Sequence, residues 1–416
     1  KIYPKKDEWV VSKQGPCSKG AGMLEKITSK VEEKAMVQFL SKFDAHPFKL
    51  IFKGTEYLIG EGEPTFTVEF TKAIPVSKLM ESTSIALGEA YMNGDLLIHG
   101  DLYHALSMFM GQMEKFSTTS SVWNKLVSNP LTKKNQQEEI QAHYDIGNDF
   151  YQLWLDETMS YSCGYFSSNR DTLYHAQVNK VDRILDKLYL KEGMTLLDIG
   201  CGWGFLLIEA ARKYGVKGLG ITLSQEQHDK FQARIKEFHL EDKLEVKLMD
   251  YRDLPATGRT FDRVVSVGMA EHVGRDNYKL YIDSINAVLK PGGLVLLHYI
   301  SGLQEKPGDA WMSKYIFPGG MLPSLREMIS LMTDDGIHIQ DVENLRMHYC
   351  YTLLEWAKNF HAQMPKIKTM FDDRFIRMWD LYLNACAAAF ENAEMDLHQI
   401  LGVKGANNEI PITRWY

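Results

Sequence analysis

The chain has 416 residues, of which 45% are hydrophobic and 24% charged, and its formal net charge is −7. This length allows two or three domains with buried cores, and the composition excludes gross disorder. Sequence-independent nucleic-acid binding needs a basic surface that neutralises phosphates, so we expect no nucleic-acid partner for this acidic chain.

Cysteine content and hydropathy bound the class of protein further. Five cysteines are scattered along the chain, and none forms a CxxC pair. This pattern predicts neither a disulfide scaffold nor a thiolate metal site and favours a reducing cytoplasm; no HExxH zinc motif occurs either. No apolar run approaches the roughly 18–20 residues that span a bilayer, so we expect any membrane contact to be peripheral.

The charge is divided unevenly, which predicts two domains. Residues 1–140 contain 17 Lys, no Arg and 17 acidic residues, so the remainder carries the whole net charge. The polar stretch 117–137, broken by Pro130, has the composition of a linker. We therefore predict a front domain over 1–116 and a second domain over 138–416.

The front domain is predicted to mix helices and strands. A helical stripe of apolar residues runs over 23–43, and residues 48–59 and 65–70 alternate as strands do around a GEGEP turn. Residues 84–110 return to a helical pattern that is interrupted at Gly94 and Gly100. The pattern indicates a small α+β domain.

The second domain alternates short apolar strands with helices. Strands are predicted at 195–199, 216–222, 244–249, 261–267 and 293–299, and helices at 178–188, 205–214 and 225–238. This alternation is typical of an α/β fold with a doubly wound, mostly parallel sheet.

A glycine-rich turn follows the first of these strands. Residues 198–204 read DIGCGWG, and glycines there let the backbone approach a ligand beside a helix N-terminus. The spacing is Gly-x-Gly-x-Gly rather than GxGxxG, and the next strand ends in Thr222 rather than an acidic ribose ligand. Both details disfavour NAD, and a purely structural tight turn is the alternative.

Several motifs carry a resemblance to one family. LDIGCGWG resembles the first motif of S-adenosylmethionine-dependent methyltransferases. Five further motifs resemble the cyclopropane-fatty-acid and mycolic-acid cyclopropane synthases: 143–150 (HYDIGNDF), 161–166 (YSCGYF), 222–227 (TLSQEQ), 269–274 (MAEHVG) and 315–320 (YIFPGG), followed by His348-Tyr349. Residues 88–102 resemble the front domain of the bacterial members, which the shorter mycolic-acid enzymes lack. The resemblance implies a Rossmann-like methyltransferase domain behind a smaller lipid- or membrane-docking domain.

This resemblance implies a site for S-adenosylmethionine. Its implied contacts are Tyr161 and Ser162 at the methionine end, the turn residues Asp198, Gly200, Cys201, Gly202 and Gly204, then Thr222, Leu223, Ser224 and Gln227 towards the ribose, and Asp250 and Tyr251 at the adenine. The pair at 250–251 has a second reading as an exposed turn.

The chemistry of the family implies a second site. Methyl transfer to an alkene leaves a carbocation, which must be kept from water, and aromatic faces such as those of Tyr161, Tyr165, Phe166, Tyr299 and Tyr349 stabilise cations. The resemblance implies a bound bicarbonate as base, held by Cys163, Glu271, His298, the backbone of Ile300, and Tyr349. The alternatives are a small buried Cys163, a core His298 and a helix-capping Glu271. His143 and His272 have no assigned role.

The implied activity is conversion of cis-unsaturated acyl chains in membrane phospholipids to cyclopropane chains. The implied enzyme is a cytoplasmic homodimer that is peripherally associated with the inner face of the cell membrane. Two related readings stay open: methylation of fatty chains without ring closure, and methylation of small amines. A third reading is a lipid-binding carrier with an inactive methyltransferase domain, which would not bind the cofactor.

Overall fold

The computed structural model describes residues 33–112 and 146–416, apart from residues 35, 306, 307 and 415. These residues form two compact units. The front unit comprises 33–112 together with 372–381, and the back unit comprises 146–371 and 382–416. The predicted linker 117–137 and His143 lie outside the described residues, so the predicted domain boundary stays a prediction.

The front unit is built on a four-stranded sheet with the order β2-β1-β3-β4. Its elements are β1 (Phe48–Phe52), β2 (Thr55–Ile59), β3 (Thr67–Phe70), α1 (Val76–Glu81), α2 (Thr83–Asn93), β4 (Leu96–His99) and α3 (Leu102–Met110). β1 pairs antiparallel with β2 and parallel with β3, and β3 pairs antiparallel with β4. Alternate residues of β1 and β3 are buried in an aromatic core. The predicted α+β class is confirmed.

Two local predictions in this unit are wrong. The single alternating run 48–59 is a hairpin, because Lys53 and Gly54 both adopt positive φ, of 48° and 86°, as a tight primed turn requires. The segment between Gly94 and Gly100 is the strand β4 rather than helix. Gly94 ends α2 in the left-handed region at φ 74°, which turns the chain back along the sheet.

The back unit contains a seven-stranded sheet with the order β10-β11-β9-β8-β5-β6-β7. Its strands are β5 (Thr195–Ile199), β6 (Lys217–Thr222), β7 (Leu244–Leu248), β8 (Phe261–Val267), β9 (Leu289–Ser301), β10 (Ile337–Asn344) and β11 (Asp396–Lys404). Neighbouring strands from β7 through β9 run parallel, whereas β11 pairs antiparallel with β9 and β10. The predicted α/β fold with a doubly wound sheet is confirmed, with an antiparallel edge added.

The helices of the back unit are α4 (Asn148–Trp154), α5 (Leu173–Lys187), α6 (Phe205–Tyr214), α7 (Gln225–Glu237), α8 (Tyr278–Val288), α9 (Ala310–Tyr315), α10 (Leu325–Asp334), α11 (Arg346–Ala362) and α12 (Met364–Met370), and the segment 372–381 of the front unit contains the start of α13 (Asp373–Glu391). β5 lies between β6 and β8, so the strand order reverses there, and ligands of such sheets bind beyond the carboxyl end of that strand. Within the described ranges, no helix combines the length and apolar character needed to span a bilayer.

Candidate active site

The glycine-rich turn opens into a cavity at the carboxyl end of β5. Gly200, Gly202 and Gly204 all have positive φ, of 83°, 53° and 84°. A Cβ on Gly202 would have no neighbouring atom within 4 Å, whereas one on Gly204 would lie 2.0 Å from the ring of Phe231. The middle glycine therefore leaves space for a ligand, and the last permits close packing between α6 and α7.

Most residues predicted to bind the cofactor line this cavity. They are Tyr161, Ser162, Asp198, Gly200, Cys201, Gly202, Gly204, Thr222, Leu223, Gln227 and Tyr251. Ser224 and Asp250 are not among the lining residues. Ser224 caps α7 by accepting a hydrogen bond from the backbone of Gln227, and the carboxylate of Asp250 forms a bidentate ion pair with Arg252. His272, to which the sequence assigned no role, lines the cavity.

The buried carboxylate of Asp198 and the buried amine of Lys180 both line this cavity, and their charges attract each other. Asp198 is fully buried and its Oδ1 has no hydrogen-bond partner among the described residues. Burial raises the pKa of Asp198 to about 7, opposed by the charge of Lys180. Lys180, also buried, donates a 2.9 Å hydrogen bond from Nζ to Ser162 Oγ. Asp198 thus offers an acceptor to a positively charged or N–H-bearing group.

Hydrogen bonds hold other lining residues in place. Thr222 Oγ1 donates to Gln227 Oε1 at 2.8 Å, which leaves the amide nitrogen of Gln227 as a donor. Trp203 donates from its indole nitrogen to Asn148 Oδ1 at 2.7 Å. Hydrogen bonds within the protein therefore hold these side chains in position around the glycine turn.

A second polar cluster lies around β9, where the catalytic residues were predicted. The backbone N–H of Ile300 donates a 2.6 Å hydrogen bond to Glu271 Oε1. Glu271 Oε2 is buried and has no partner within the described parts of the chain. Burial raises the pKa of Glu271 to about 7, opposed by the hydrogen bond from Ile300. In this structure the Ile300 N–H therefore serves Glu271 rather than standing open to a ligand.

His298 lies two residues before Ile300, within β9 rather than beyond a strand end. It is 1% exposed, and burial holds its pKa well below the ordinary value. Nδ1 is 3.1 Å from Gln399 Nε2, and Nε2 has no partner in the part of the chain that is described. His298 is therefore a neutral imidazole with its Nδ1 hydrogen-bonded and its Nε2 open.

The thiol of Cys163 donates a 3.2 Å hydrogen bond to the carbonyl of Gly164, and the backbone of Leu345 lies beside both Cys163 and Tyr349. The carbonyl of Leu345 lies 3.9 Å from Cys163 Sγ and accepts a 3.2 Å hydrogen bond from the backbone N–H of Tyr349. The N–H of Leu345 donates to the carbonyl of Leu397, which faces Ile300 across the sheet. Burial raises the pKa of Cys163, so the sulfur stays a thiol.

The aromatic residues that were predicted to stabilise cations do not all lie in one group. Tyr161 packs among Tyr151, Trp154 and Trp356, with ring centroids 5.3–5.4 Å away, and its hydroxyl is 2.7 Å from that of Tyr382. Tyr349 lies against Trp356 and Phe390. The ring of Tyr165 is instead stacked on His348 and covered by the guanidinium of Arg183, both 4.5 Å from it. Phe166 lies against the exposed Tyr351.

Sequence reasoning missed three residues here: Lys180, Asn148 and Gln399. A signal for Lys180 was present, because it interrupts a buried row with Ala176 and Ile184 at helical spacing. Asn148 lies inside the motif 143–150, but nothing in that motif indicated a bond to Trp203. Gln399 carried no signal, since its partner His298 is 101 residues away.

The residues present fit both implied ligands. S-adenosylmethionine carries an ammonium and a sulfonium, which suit the open acceptor on Asp198 and the space above Gly202. A bicarbonate ion both accepts and donates hydrogen bonds, and the cluster offers a buried acceptor on Glu271 and an open nitrogen on His298.

Comparisons with known proteins identify the family of this chain. Residues 131–400 match the family described as mycolic acid cyclopropane synthetase, and residues 35–121 match a domain of unknown function. A probable fatty acid methyltransferase from Pseudomonas putida is 38% identical over 378 residues, covering 88% of this chain and 95% of that protein. The cyclopropane-fatty-acyl-phospholipid synthase of Escherichia coli K12 is 37% identical over 346 residues, covering 81% and 87%.

Solved structures show the same relationship. A cyclopropane synthase from Mycobacterium tuberculosis superposes with a TM-score of 0.62 at 33% identity, covering 66% of this chain and 100% of that one. A mycolic acid cyclopropane synthase in complex with SAH and CTAB gives a TM-score of 0.61 at 33% identity, covering 64% and 98%. The chain therefore belongs to the mycolic acid cyclopropane synthetase family of S-adenosylmethionine-dependent C-methyltransferases.

Proposed function

We propose that this enzyme is a cyclopropane-fatty-acyl-phospholipid synthase, which adds a methylene to the cis double bond of phospholipid acyl chains. The observation that carries the proposal is the cluster around β9. It places an open carboxylate oxygen of Glu271 and an open imidazole nitrogen of His298 in a buried setting, which suits a proton-accepting anion kept away from water. The relative from Escherichia coli bears this activity in its name.

In this proposal the cofactor cavity holds S-adenosylmethionine, whose sulfonium supplies an electrophilic methyl group. Asp198 accepts from the cationic methionine end, and Gln227 donates its amide N–H groups to the ribose. Ser162 is held by Lys180 at the same end of the cavity. Tyr251 packs at the adenine, while Asp250 acts indirectly by fixing Arg252 beside it.

In the cluster around β9 we place bicarbonate, which when bound would supply the base for a proton of the added methyl group. His298 donates from Nε2, the thiol of Cys163 and the hydroxyl of Tyr349 are further donors, and Glu271 accepts from the bicarbonate hydroxyl. The Ile300 N–H holds Glu271 in position. A carboxylate with a pKa of about 7 is ionised in a sizeable fraction of molecules at neutral pH, so it can accept this bond.

Aromatic rings protect the substrate cation. Tyr161, Trp356 and Tyr349 form a continuous group of rings that begins at Tyr161, which lines the cofactor cavity, and ends at Tyr349, which we place beside the bicarbonate. A cation above such a ring gains about 0.5–2 kcal/mol. The same rings exclude water, which would otherwise trap the carbocation as an alcohol.

A second candidate is methyl transfer to a fatty acyl chain without ring closure. It is favoured by the relative from Pseudomonas putida, which is named a probable fatty acid methyltransferase. The two candidates differ in product: ring closure consumes the double bond, whereas simple methylation followed by proton loss from the chain leaves an alkene.

Both products gain one CH₂ in mass, so hydrogen uptake at a double bond separates them. The enzyme is incubated with S-adenosylmethionine, bicarbonate and vesicles of a cis-unsaturated phospholipid, and released acyl chains are tested for mass and for hydrogen uptake. We expect a gain of one carbon with loss of the alkene. A methylated chain that still takes up hydrogen at a double bond would favour the second candidate, and unmodified chains would refute both.

Matched variants connect the product to the site. Glu271→Gln keeps shape and removes the charge, and it should slow ring formation while leaving calorimetric cofactor binding unchanged. Glu355→Gln, which removes only an ion pair with exposed Lys358, is the control and should behave as wild type. An equal loss of ring formation in both variants would show that the activity does not depend specifically on the Glu271 carboxylate.

We further propose that the front unit docks on phospholipid membranes and that the enzyme works as a cytoplasmic homodimer at the inner face of the cell membrane. Its surface exposes Leu58 and Met80, at 60% and 76%. The full chain should sediment with unsaturated phospholipid vesicles, and Met80→Asp should weaken sedimentation without lowering activity on detergent-dispersed lipid. Wild-type sedimentation of that variant would exclude Met80 from the docking surface.

A further inference from the structure

A row of buried polar groups lies behind His298. Gln399 stands directly opposite it, on the antiparallel strand β11. Gln399 Nε2 is 3.1 Å from His298 Nδ1, and Gln399 Oε1 is 2.8 Å from Lys187 Nζ. His298, Gln399 and Lys187 are each 1% exposed, so the geometry among them is not averaged by water.

The chemistry of these groups sets where the imidazole proton lies. A lysine ammonium only donates, so Lys187 must face the oxygen of the Gln399 amide, and the amide nitrogen then faces His298. The amide NH₂ also only donates, so Nδ1 of His298 must be the bare, accepting nitrogen. The proton of the neutral ring is therefore on Nε2, the nitrogen without a partner among the residues described.

Lys187 is itself held by acidic groups. Its Nζ lies 2.6 Å from Glu343 Oε2 and 3.7 Å from Asp341. Arg183, one helical turn earlier on α5, also pairs with Glu343. Two carboxylates therefore favour the ammonium form of Lys187 against the cost of its burial, and they keep it aimed at the oxygen of Gln399.

We propose that Gln399 and Lys187 are positioning residues that hold His298 as the Nε2–H tautomer, so that this nitrogen donates a hydrogen bond into the cluster around β9. The role as a donor rests on the proposed function, which places an anion beside His298. An imidazole with the opposite tautomer would present a lone pair to that anion and repel it. The Gln399–Lys187 pair is thus a determinant of anion binding that touches neither anion nor substrate.

The tautomer is measurable without activity. Long-range ¹⁵N–¹H correlation spectra of the full chain, labelled at histidine nitrogens, distinguish a bare Nδ1 from a bare Nε2, and His298→Asn identifies the signals. We expect the wild type to show a bare Nδ1. Gln399→Glu places an acceptor opposite Nδ1, so the proton should move to Nδ1, and kcat should fall about 10- to 100-fold with the cofactor Kd unchanged.

Two further variants test and control this interpretation. Lys187→Met removes the donor that orients the amide, and it should give a mixture of tautomers while Arg183 still pairs with Glu343. Gln112→Glu, a buried glutamine in the front unit, controls for the cost of a buried charge and should leave the His298 spectrum unchanged. Either a bare Nε2 in the wild type or an unchanged spectrum in Gln399→Glu would overturn the inference.

This readout also separates the inference from the proposed function. If the tautomers behave as expected while the enzyme yields only methylated alkenes, the positioning role stands and ring closure fails. If rings form but the tautomer does not respond to Gln399→Glu, the proposed function stands and the positioning role is refuted.

Discussion

The backbone N–H of Ile300 lies 2.6 Å from Glu271 Oε1, so one strand of the sheet positions a carboxylate that comes from the turn after the neighbouring strand. The other oxygen of this carboxylate is buried and without a partner in the described residues. The hydrogen bond to Oε1 thus favours the anionic form of Glu271, while Oε2 is left to bind a ligand or a proton.

This arrangement makes stability depend on pH. The folded-state pKa of Glu271 is about 7, above its ordinary value of 4.5, so the folded protein binds this proton more tightly than the unfolded chain. The stabilising effect of the proton is present at low pH and is lost as pH rises through 7. Relative to Glu271→Gln, the wild type should lose about 2–3 kcal/mol of unfolding free energy between roughly pH 5 and 8. Parallel denaturant curves for the two proteins would contradict this.

Lys180 should control the charge of Asp198 and with it the affinity for the cofactor. Burial raises the pKa of Asp198 to about 7, and Lys180 lowers it. In Lys180→Met the pKa rises further, so less of Asp198 is ionised at neutral pH and affinity for a cationic ligand falls. Calorimetric titration at several pH values should show the midpoint of binding moved to higher pH. Lys213→Met, which breaks ion pairs with Asp182 and Glu209 rather than with Asp198, should leave that midpoint unchanged.

Substitutions of Gly202 and Gly204 by alanine should separate backbone strain from steric clash. Both residues have positive φ, which costs a side-chain-bearing residue about 1–2 kcal/mol. Only at Gly204 does the new methyl meet Phe231, at 2.0 Å. We expect Gly204→Ala to lower thermal stability clearly more than Gly202→Ala, whereas Gly202→Ala should chiefly weaken cofactor binding. Equal Tm values would argue against the packing role of Gly204.

Tyr161 should act through its ring more than through its hydroxyl. Tyr161→Phe loses the 2.7 Å hydrogen bond to Tyr382 but keeps the ring among Tyr151 and Trp356. It should retain most of kcat. Tyr161→Leu removes the ring, and a cation–π gain of about 0.5–2 kcal/mol corresponds to a loss of roughly 2- to 30-fold. Tyr382→Phe is the control for the lost bond, and similar losses in all three variants would point to a structural role.

The central part of the fold was readable from the sequence for a physical reason. Strands of a parallel sheet are buried on both faces, so β5 and β8 are buried along most of their length and carry adjacent apolar residues between turns. β4 has only four residues between two glycines, which is too short for its period to be distinguished from that of a helix. β10 and β11 were not predicted, because β11 pairs antiparallel with β9 and with β10, and both partners are distant from it in the sequence.

The site was readable only in part. Family motifs predict which side chains contact the ligands, and the structure brings Glu271, Ile300 and His298 to one region. Motifs do not encode which atoms remain open, because that depends on partners such as Gln399 from remote strands. They also did not show that Arg252 occupies the carboxylate of Asp250.

The pairing of β9 with β11 has a consequence for the order of events during synthesis. The glycine turn and β5–β8 emerge from the ribosome well before β11, which carries Gln399. When β5–β8 have left the ribosome, His298 therefore still lacks its cross-strand partner. The proposed tautomer of His298 can be set only after this last strand of the sheet has been made.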